Sequence, residues 1–255
     1  MIHESSGRQV KSVRTAFRMI GVLQNYDGAT VAQLERQLDI ATSTVHNYLR
    51  TLQSMGYVVK RDGTYHLGLR LLTHGMAARS RLPLAGVVSD SLKDVSSAVS
   101  RPAWWVVEEH GRGLFVAKSA GDKAPEIYGR IGKRSFLHAH APGKAMLATL
   151  SEDSVEEIVE YHGLPVQTNE TVTDREELRR ELERIREHGY AESKGQAALG
   201  VRSVGVALDV PAEYTSALGV FGHTHEFGTS LDVDVPAVLQ QATADVEETV
   251  SEWGG

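Results

Sequence analysis

Cysteine is absent from all 255 residues. That excludes disulfide scaffolds, thiolate nucleophiles and cysteine-based zinc fingers, so any metal would need His and carboxylate ligands. Long apolar runs are missing too. No stretch approaches the ~20 apolar residues of a membrane-spanning helix, and the N-terminal residues carry no apolar segment flanked by basic residues of the secretory kind. A cytoplasmic location is expected. Catalytic signatures are equally scarce. There is no Gly-x-Ser-x-Gly elbow; Gly143-Lys144 is not a phosphate loop, because His138 stands where its first glycine should be and Ala145 follows the lysine. Gly132-Lys133 fails likewise. The chain reads as a non-enzyme without a cofactor.

What is present divides unevenly. The chain carries a net charge of −6, yet residues 1–80 hold ten Lys or Arg against five Asp or Glu, and the remainder holds 17 against 28. A basic segment on an acidic body is the pattern of a protein whose first domain alone meets phosphates.

Within that basic segment Val13, Ala16, Phe17, Ile20 and Leu23 recur at three- and four-residue steps, the spacing of an amphipathic helix. Asp27-Gly28 is a turn, and Thr30 can cap a second helix that buries Val31, Leu34 and Leu38. After the short turn Asp39-Ile40-Ala41, Thr42 or Ser43 can cap a third helix. Val45, Leu49, Leu52 and Met55 share its apolar face, while Thr44, His46, Asn47 and Arg50 lie on the others. Gly56 closes it. Tyr57 to Arg61, Asp62-Gly63 and Thr64 to Leu67 then read as a two-stranded hairpin.

Such an order lets the third helix enter a DNA major groove while the hairpin lies along the backbone. The candidate DNA-binding residues are Thr42, Ser43, Thr44, His46, Asn47 and Arg50 on the helix, with Arg8, Lys11, Lys60 and Arg61 supplying charge at the edges. A small trihelical unit with a hairpin also serves protein interaction, and nonspecific architectural DNA binding is a further alternative.

Here the residues become specific. Val10-Lys-Ser-Val-Arg-Thr-Ala, Ala41-Thr-Ser-Thr-Val-His-Asn-Tyr-Leu-Arg-Thr-Leu, Gly56-Tyr and Tyr65-His-Leu-Gly-Leu-Arg-Leu-Leu resemble the winged helix of the IclR family of transcription regulators. That resemblance implies an α+β protein in three parts: a winged helix-turn-helix DNA-binding domain over 8–68, a linker helix over 69–81 that contributes to dimerisation, and an effector-binding domain over 82–255. The last would be a GAF-like antiparallel sheet with helices. Independently of the resemblance, residues 103–109 and 114–119 are strand-like, as are 201–210 and 216–222; helical spacing marks 84–99, 143–150, 154–162, 176–188 and 235–253.

The resemblance continues through the acidic region. Leu137-His-Ala-His-Ala-Pro-Gly-Lys-Ala is similar to the family's LHxxAxGKA element, and Gly189-Tyr-Ala with Gly200-Val-Arg-Ser-Val-Gly-Val-Ala resembles its GYA and GxRCIAAP stretches. By that likeness the effector pocket includes Ala141, Pro142, Ser193, Ser203 where many members have Cys, Val220 and Gly222. Two departures stand out. The family's acidic pair after GYA is Gly195-Gln196 here, and its Ser-x-Ser-Gly becomes Val220-Phe221-Gly222-His223. His138, His140 and His223 are the polar groups able to replace the lost contacts. A helix beginning at Pro142 or Gly143 would offer free N–H groups to a ligand carboxylate.

Trp104 and Trp105 suit a pocket wall, a subunit contact or the core. If the segments are extended, His138-x-His140 and His223-x-His225 each present two imidazoles to one side, which keeps a metal sensor or metal-dependent hydrolase open as an alternative. The expected function is a sequence-specific regulator that binds double-stranded operator DNA as a homodimer or a tetramer of dimers, under control of a small organic-acid or sugar-acid effector.

Overall fold

The computed structural model describes residues 9–120, 128–210, 214–225, 227 and 234–253. These fall into two compact units that meet in sequence between Leu82 and Pro83.

In the first unit, α1 (Lys11–Asn25), α2 (Val31–Leu38) and α3 (Thr42–Ser54) surround a core of Met19, Leu23, Leu34, Leu38, Val45, Leu49 and Leu52. Thr30 accepts from the backbone N–H of Gln33 while the Gln33 side chain accepts from the backbone N–H of Thr30, a capping box worth about 1 kcal/mol. Asp39 then takes a left-handed conformation and reverses the chain into α3. The hairpin follows as β1 (Val58–Arg61) and β2 (Thr64–Leu67), joined by Asp62 and Gly63, both at positive φ as a tight two-residue turn demands. Val58 and Tyr65 reach back into the core. The helix α4 (Arg70–Arg79) comes next and buries none of its own residues.

The second unit is an antiparallel sheet of six strands ordered β5-β4-β3-β8-β7-β6, from β3 (Ala103–Glu109), β4 (Arg112–Ser119), β5 (Arg134–Phe136), β6 (Ala191–Lys194), β7 (Val201–Leu208) and β8 (Ser216–His223). The helices α5 (Ala85–Val99) and α9 (Val235–Glu252) pack together on one face; α6 (Ala141–Thr149) lies on the other, with α8 (Arg175–His188) against it and α7 (Glu152–His162) joining them in sequence. Both faces of an antiparallel sheet are thereby covered, an α+β arrangement of the GAF-like kind.

Strand register decides which side chains meet α6. Ser203 pairs with Phe221 and Gly205 with Gly219, so each pair shares a face. A Cβ on Gly205 would lie 2.5 Å from the Pro142 nitrogen, and one on Gly219 would lie 2.2 Å from its Cγ. Those two glycines are therefore the seat for the first turn of α6. Gly219→Ala is expected to cost about 1–3 kcal/mol, because the added methyl must displace the proline ring and its helix. A urea midpoint equal to that of the parent protein would show that α6 is not seated as described.

Candidate nucleic-acid interface and ligand pocket

On the first unit, α3 turns Val45, Leu49 and Leu52 inward, leaving Ser43, His46, Asn47 and Arg50 exposed on the opposite side. Thr42 is exposed and Thr44 half-buried. The sequence suggested a hydroxyl cap on this helix, but the cap residue is Ala41, which offers no side-chain oxygen. Helical geometry begins one residue early, so the Thr42 and Ser43 hydroxyls stand at the start of the helix, available to an outside acceptor such as a phosphate. Lys60 and Arg61 lie exposed at the tip of the hairpin and Lys11 at the start of α1. Arg8 lies outside the described residues. Beside this face, α1, α3 and α4 enclose an apolar groove of about 720 Å³ edged by Val13, Phe17, Tyr48, Met55 and Leu71.

On the second unit the α6 face of the sheet holds Ser193, Ser203 and Phe221 in one row across β6, β7 and β8. Ala141 and Pro142 stand over it. Val220 and Gly222 do not line this face. They alternate with Gly219 and Phe221 and so point to the α5 and α9 side, where a Cβ on Gly222 would meet Phe227 and Arg101. The residues that occupy the expected positions are Gly219 and Phe221. Period-two alternation counted through the Ser203–Phe221 pair places them there, one residue out of phase with the expected Val220 and Gly222.

The N–H groups at the start of α6 are also taken. Ala141 donates to Ser203 Oγ at 3.2 Å and Gly143 donates to His140 Nδ1 at 3.0 Å, while Pro142 has no N–H. A carboxylate bound there must first displace one of these partners. His140 is wholly buried, and since Nδ1 accepts from Gly143 its other nitrogen carries the proton and donates to Ser135 Oγ at 2.6 Å. Burial depresses its pKa to about 3, with Lys133 and Lys144 adding to the effect. It is a neutral cap rather than a contact open to ligand. His138 sits in a 3₁₀ turn over Leu137–Ala139, not on an extended strand, and its Nε2 lies 3.3 Å from the Pro165 carbonyl. The turn therefore removes the extended-strand alternation that was expected to present both imidazoles to one side. His223 stands at the end of β8 with its ring stacked on His225 at 5.5 Å. Among the described residues no three His, Asp or Glu side chains gather as a metal site would require.

Aromatic rings supply the rest of the face. Tyr128 stacks on Phe221 with centroids 5.2 Å apart, and Phe115 meets Trp104 edge-on at 5.3 Å. Lys133 donates to the Tyr128 carbonyl at 3.1 Å and holds its Nζ 3.0 Å from the centre of the Tyr128 ring. Burial lowers the Lys133 pKa to about 8, Arg130 reinforcing it, and raises the Tyr128 phenol to about 12. Trp104 faces α6; Trp105, next in the strand, faces the other layer.

Deeper in α6, Lys144 is 1% exposed, and its ammonium donates to Glu181 at 2.8 Å and to Gln196 at 2.9 Å. Burial lowers its pKa despite the opposing pull of Glu181. Gln196 stands at one of the two positions where the family's acidic pair was expected, and Glu181 on α8 provides the counter-charge. Sequence reading missed that partnership, which joins residues 37 apart.

Comparison with known proteins adds two family models: the IclR helix-turn-helix domain matches residues 12–62, and the bacterial transcriptional regulator IclR C-terminal domain matches residues 76–248. A probable HTH-type transcriptional regulator ArcR of Halobacterium salinarum is 26% identical over 94% of this chain and 94% of its own. Among solved structures, an IclR transcriptional regulator from Alicyclobacillus acidocaldarius matches with a TM-score of 0.79 at 24% identity, covering 97% of this chain and 100% of that one. An IclR homolog from Microbacterium hydrocarbonoxydans, complexed with 4-hydroxybenzoate, matches at 0.77 and 22% identity over 93% and 98% of the two chains.

The buried cap carries a pH dependence. Folded His140 titrates near 3 against an ordinary 6.5, so the unfolded chain takes up the proton first as pH falls. Its contribution is complete above about pH 6.5 and declines by about 1.4 kcal/mol per pH unit below it. His140→Asn retains a cap acceptor without that titration. The fall in stability between about pH 6.5 and 4.5 should be shallower in the variant; equal slopes in urea melts would refute a neutral buried imidazole.

Proposed function

The chain belongs to the IclR family of bacterial transcriptional regulators, and from that premise we propose how its parts divide the work. Residues 8–68 bind operator DNA, residues 69–81 link, and residues 82–255 bind the effector. One observation carries the DNA assignment: the exposed side of α3 presents Ser43, His46, Asn47 and Arg50 beside a hairpin tipped with Lys60 and Arg61, in the basic N-terminal third of an acidic chain. Asn47 and Arg50 there are suited to purine edges, and Lys60 and Arg61 to phosphates.

One recognition helix spans few base pairs, so a second copy supplies the second half-site. Phe17 is 67% exposed and Leu72 60% exposed, large apolar groups that favour pairing between copies. The protein acts in the cytoplasm, by binding rather than catalysis.

The α6 face is our effector site, with Ala141, Pro142, Ser193, Ser203, Gly219 and Phe221 at its centre and Tyr128 covering it. Its polar equipment is slight. A sugar acid would bring several hydroxyls to a surface offering two serines among ring faces, and each unmatched hydroxyl costs about 1–3 kcal/mol. An organic acid with a flat apolar body suits the rings better, and the Microbacterium homolog binds such a molecule. The effector changes operator occupancy only through unequal affinity for two states of the protein.

Two outcomes test this. Arg50→Ala and Asn47→Ala should each weaken binding to the protein's own upstream DNA by at least about tenfold while leaving the oligomer intact; full binding by both would remove α3 from the interface. In the same titration at fixed salt, 4-hydroxybenzoate should shift the complex and gluconate should not. A response to gluconate alone would overturn the organic-acid assignment.

A further inference from the structure

The helix α4 has no buried residue, and ten residues are too few for an isolated helix to hold in water. Its position nevertheless is fixed at one end. The N–H of Gly68 donates to the Tyr57 carbonyl at 2.8 Å, and the Gly56 carbonyl oxygen lies where a Cβ on Gly68 would be only 2.3 Å away, so no other residue fits. Arg70 Nη1 donates to the carbonyl of Met55, the C-cap residue of α3, at 2.6 Å. The same guanidinium lies over the Tyr57 ring at 5.2 Å. One turn on, His74 Nε2 is 2.8 Å from the Tyr57 hydroxyl, and the two rings stack at 5.6 Å.

Arg70 and His74 are four residues apart and share one side of α4. Leu72 and Met76, both exposed, are also four apart, and at 100° per residue they fall on the opposite side. One side of the helix grips the end of the reading helix; the other is apolar.

We infer that Tyr57, Arg70 and His74 form a clasp that fixes the angle between α3 and α4, and that this angle sets the half-site spacing the dimer accepts. The inference rests on the reading of the chain as a dimeric operator-binding regulator in which the apolar side of α4 meets a second copy. Three contacts, one to Met55 at the end of α3 and two to Tyr57 just beyond it, convert α4 from a tether into an extension of the reading helix. A tether would let two domains find half-sites over a range of separations, whereas a fixed joint allows one phase of the double helix. All three side chains are positioning residues: none lies on the exposed face of α3.

The test compares three DNAs derived from the upstream sequence that wild-type protein protects in a footprint: the intact site, the site with about five base pairs inserted at its centre, which is about half a helical turn, and a single half-site. Wild-type protein should lose at least about tenfold in affinity on insertion. Arg70→Ala/His74→Ala should lose less than about threefold while binding the single half-site within about threefold of wild type, since no base or phosphate contact has changed. Tyr57→Phe keeps the ring and deletes the hydroxyl, and should fall between them. An insertion penalty in the double variant equal to that of wild type would overturn the clasp. Loss of half-site binding in parallel would overturn it too, showing that the contacts merely support the domain. Failure of wild-type protein to protect any upstream sequence is a different result: it would remove the operator-binding reading itself, and the clasp with it.

Discussion

Pro142 rests on a patch of sheet where two neighbouring strands carry glycine, and much of the second unit is arranged around that contact. Because the ring sits so close, the first turn of α6 is pressed below the surface and every residue from Ala141 to Ala148 is buried. Two of them are awkward to bury. The N–H of Gly143 needs an acceptor, and His140 provides one only as a neutral imidazole. Lys144 needs a counter-charge, and Glu181 with Gln196 provides it from α8 and the loop beyond β6. Leaving that ammonium unpaired would be far costlier than the pair itself is stabilising, so the ion pair is better understood as a requirement of α6's depth than as a source of stability.

The same contact bears on ligand chemistry. Ser203 occupies the N–H of Ala141 and the Tyr128 ring lies flat on Phe221, so polar and apolar parts of the α6 face are satisfied internally. A ligand bound there, as proposed, would compete with protein groups of its own kind, a carboxylate against a hydroxyl and a flat body against a phenol ring. On that reading, selectivity would follow from what the displaced groups lose as much as from what the ligand gains.

Where local pattern governs, the sequence was informative. The cap at Thr30, the turn at Asp62-Gly63, and the apolar spacing of α1, α2 and α3 each involve residues a few positions apart. The short strands β5 and β6 escaped, since Arg-Ser-Phe and Ala-Glu-Ser-Lys are only three and four residues long and hold one aromatic and no β-branched residue between them; they pair with β4 and β7 respectively. The placement of Val220 and Gly222 failed for a related reason. A strand buried on both faces shows no alternation in its sequence, so its phase is visible only from a neighbour already placed. Three hydroxyl residues adjoin the start of the third helix, and local pattern does not distinguish Thr42 as a cap from Thr42 as the first helical residue.

The adjacent indoles of Trp104 and Trp105 have an optical consequence. One looks toward the α6 face and its aromatic neighbours, the other is fully buried in the opposite layer with its indole nitrogen unpartnered, and the third tryptophan, Trp253, is largely exposed. The three chromophores therefore experience different polarities and emit at different wavelengths. A ligand bound on the α6 face, as proposed, would lie on the Trp104 side of the sheet and not on the Trp105 side, so intrinsic fluorescence could distinguish the two layers of a single sheet without any attached label.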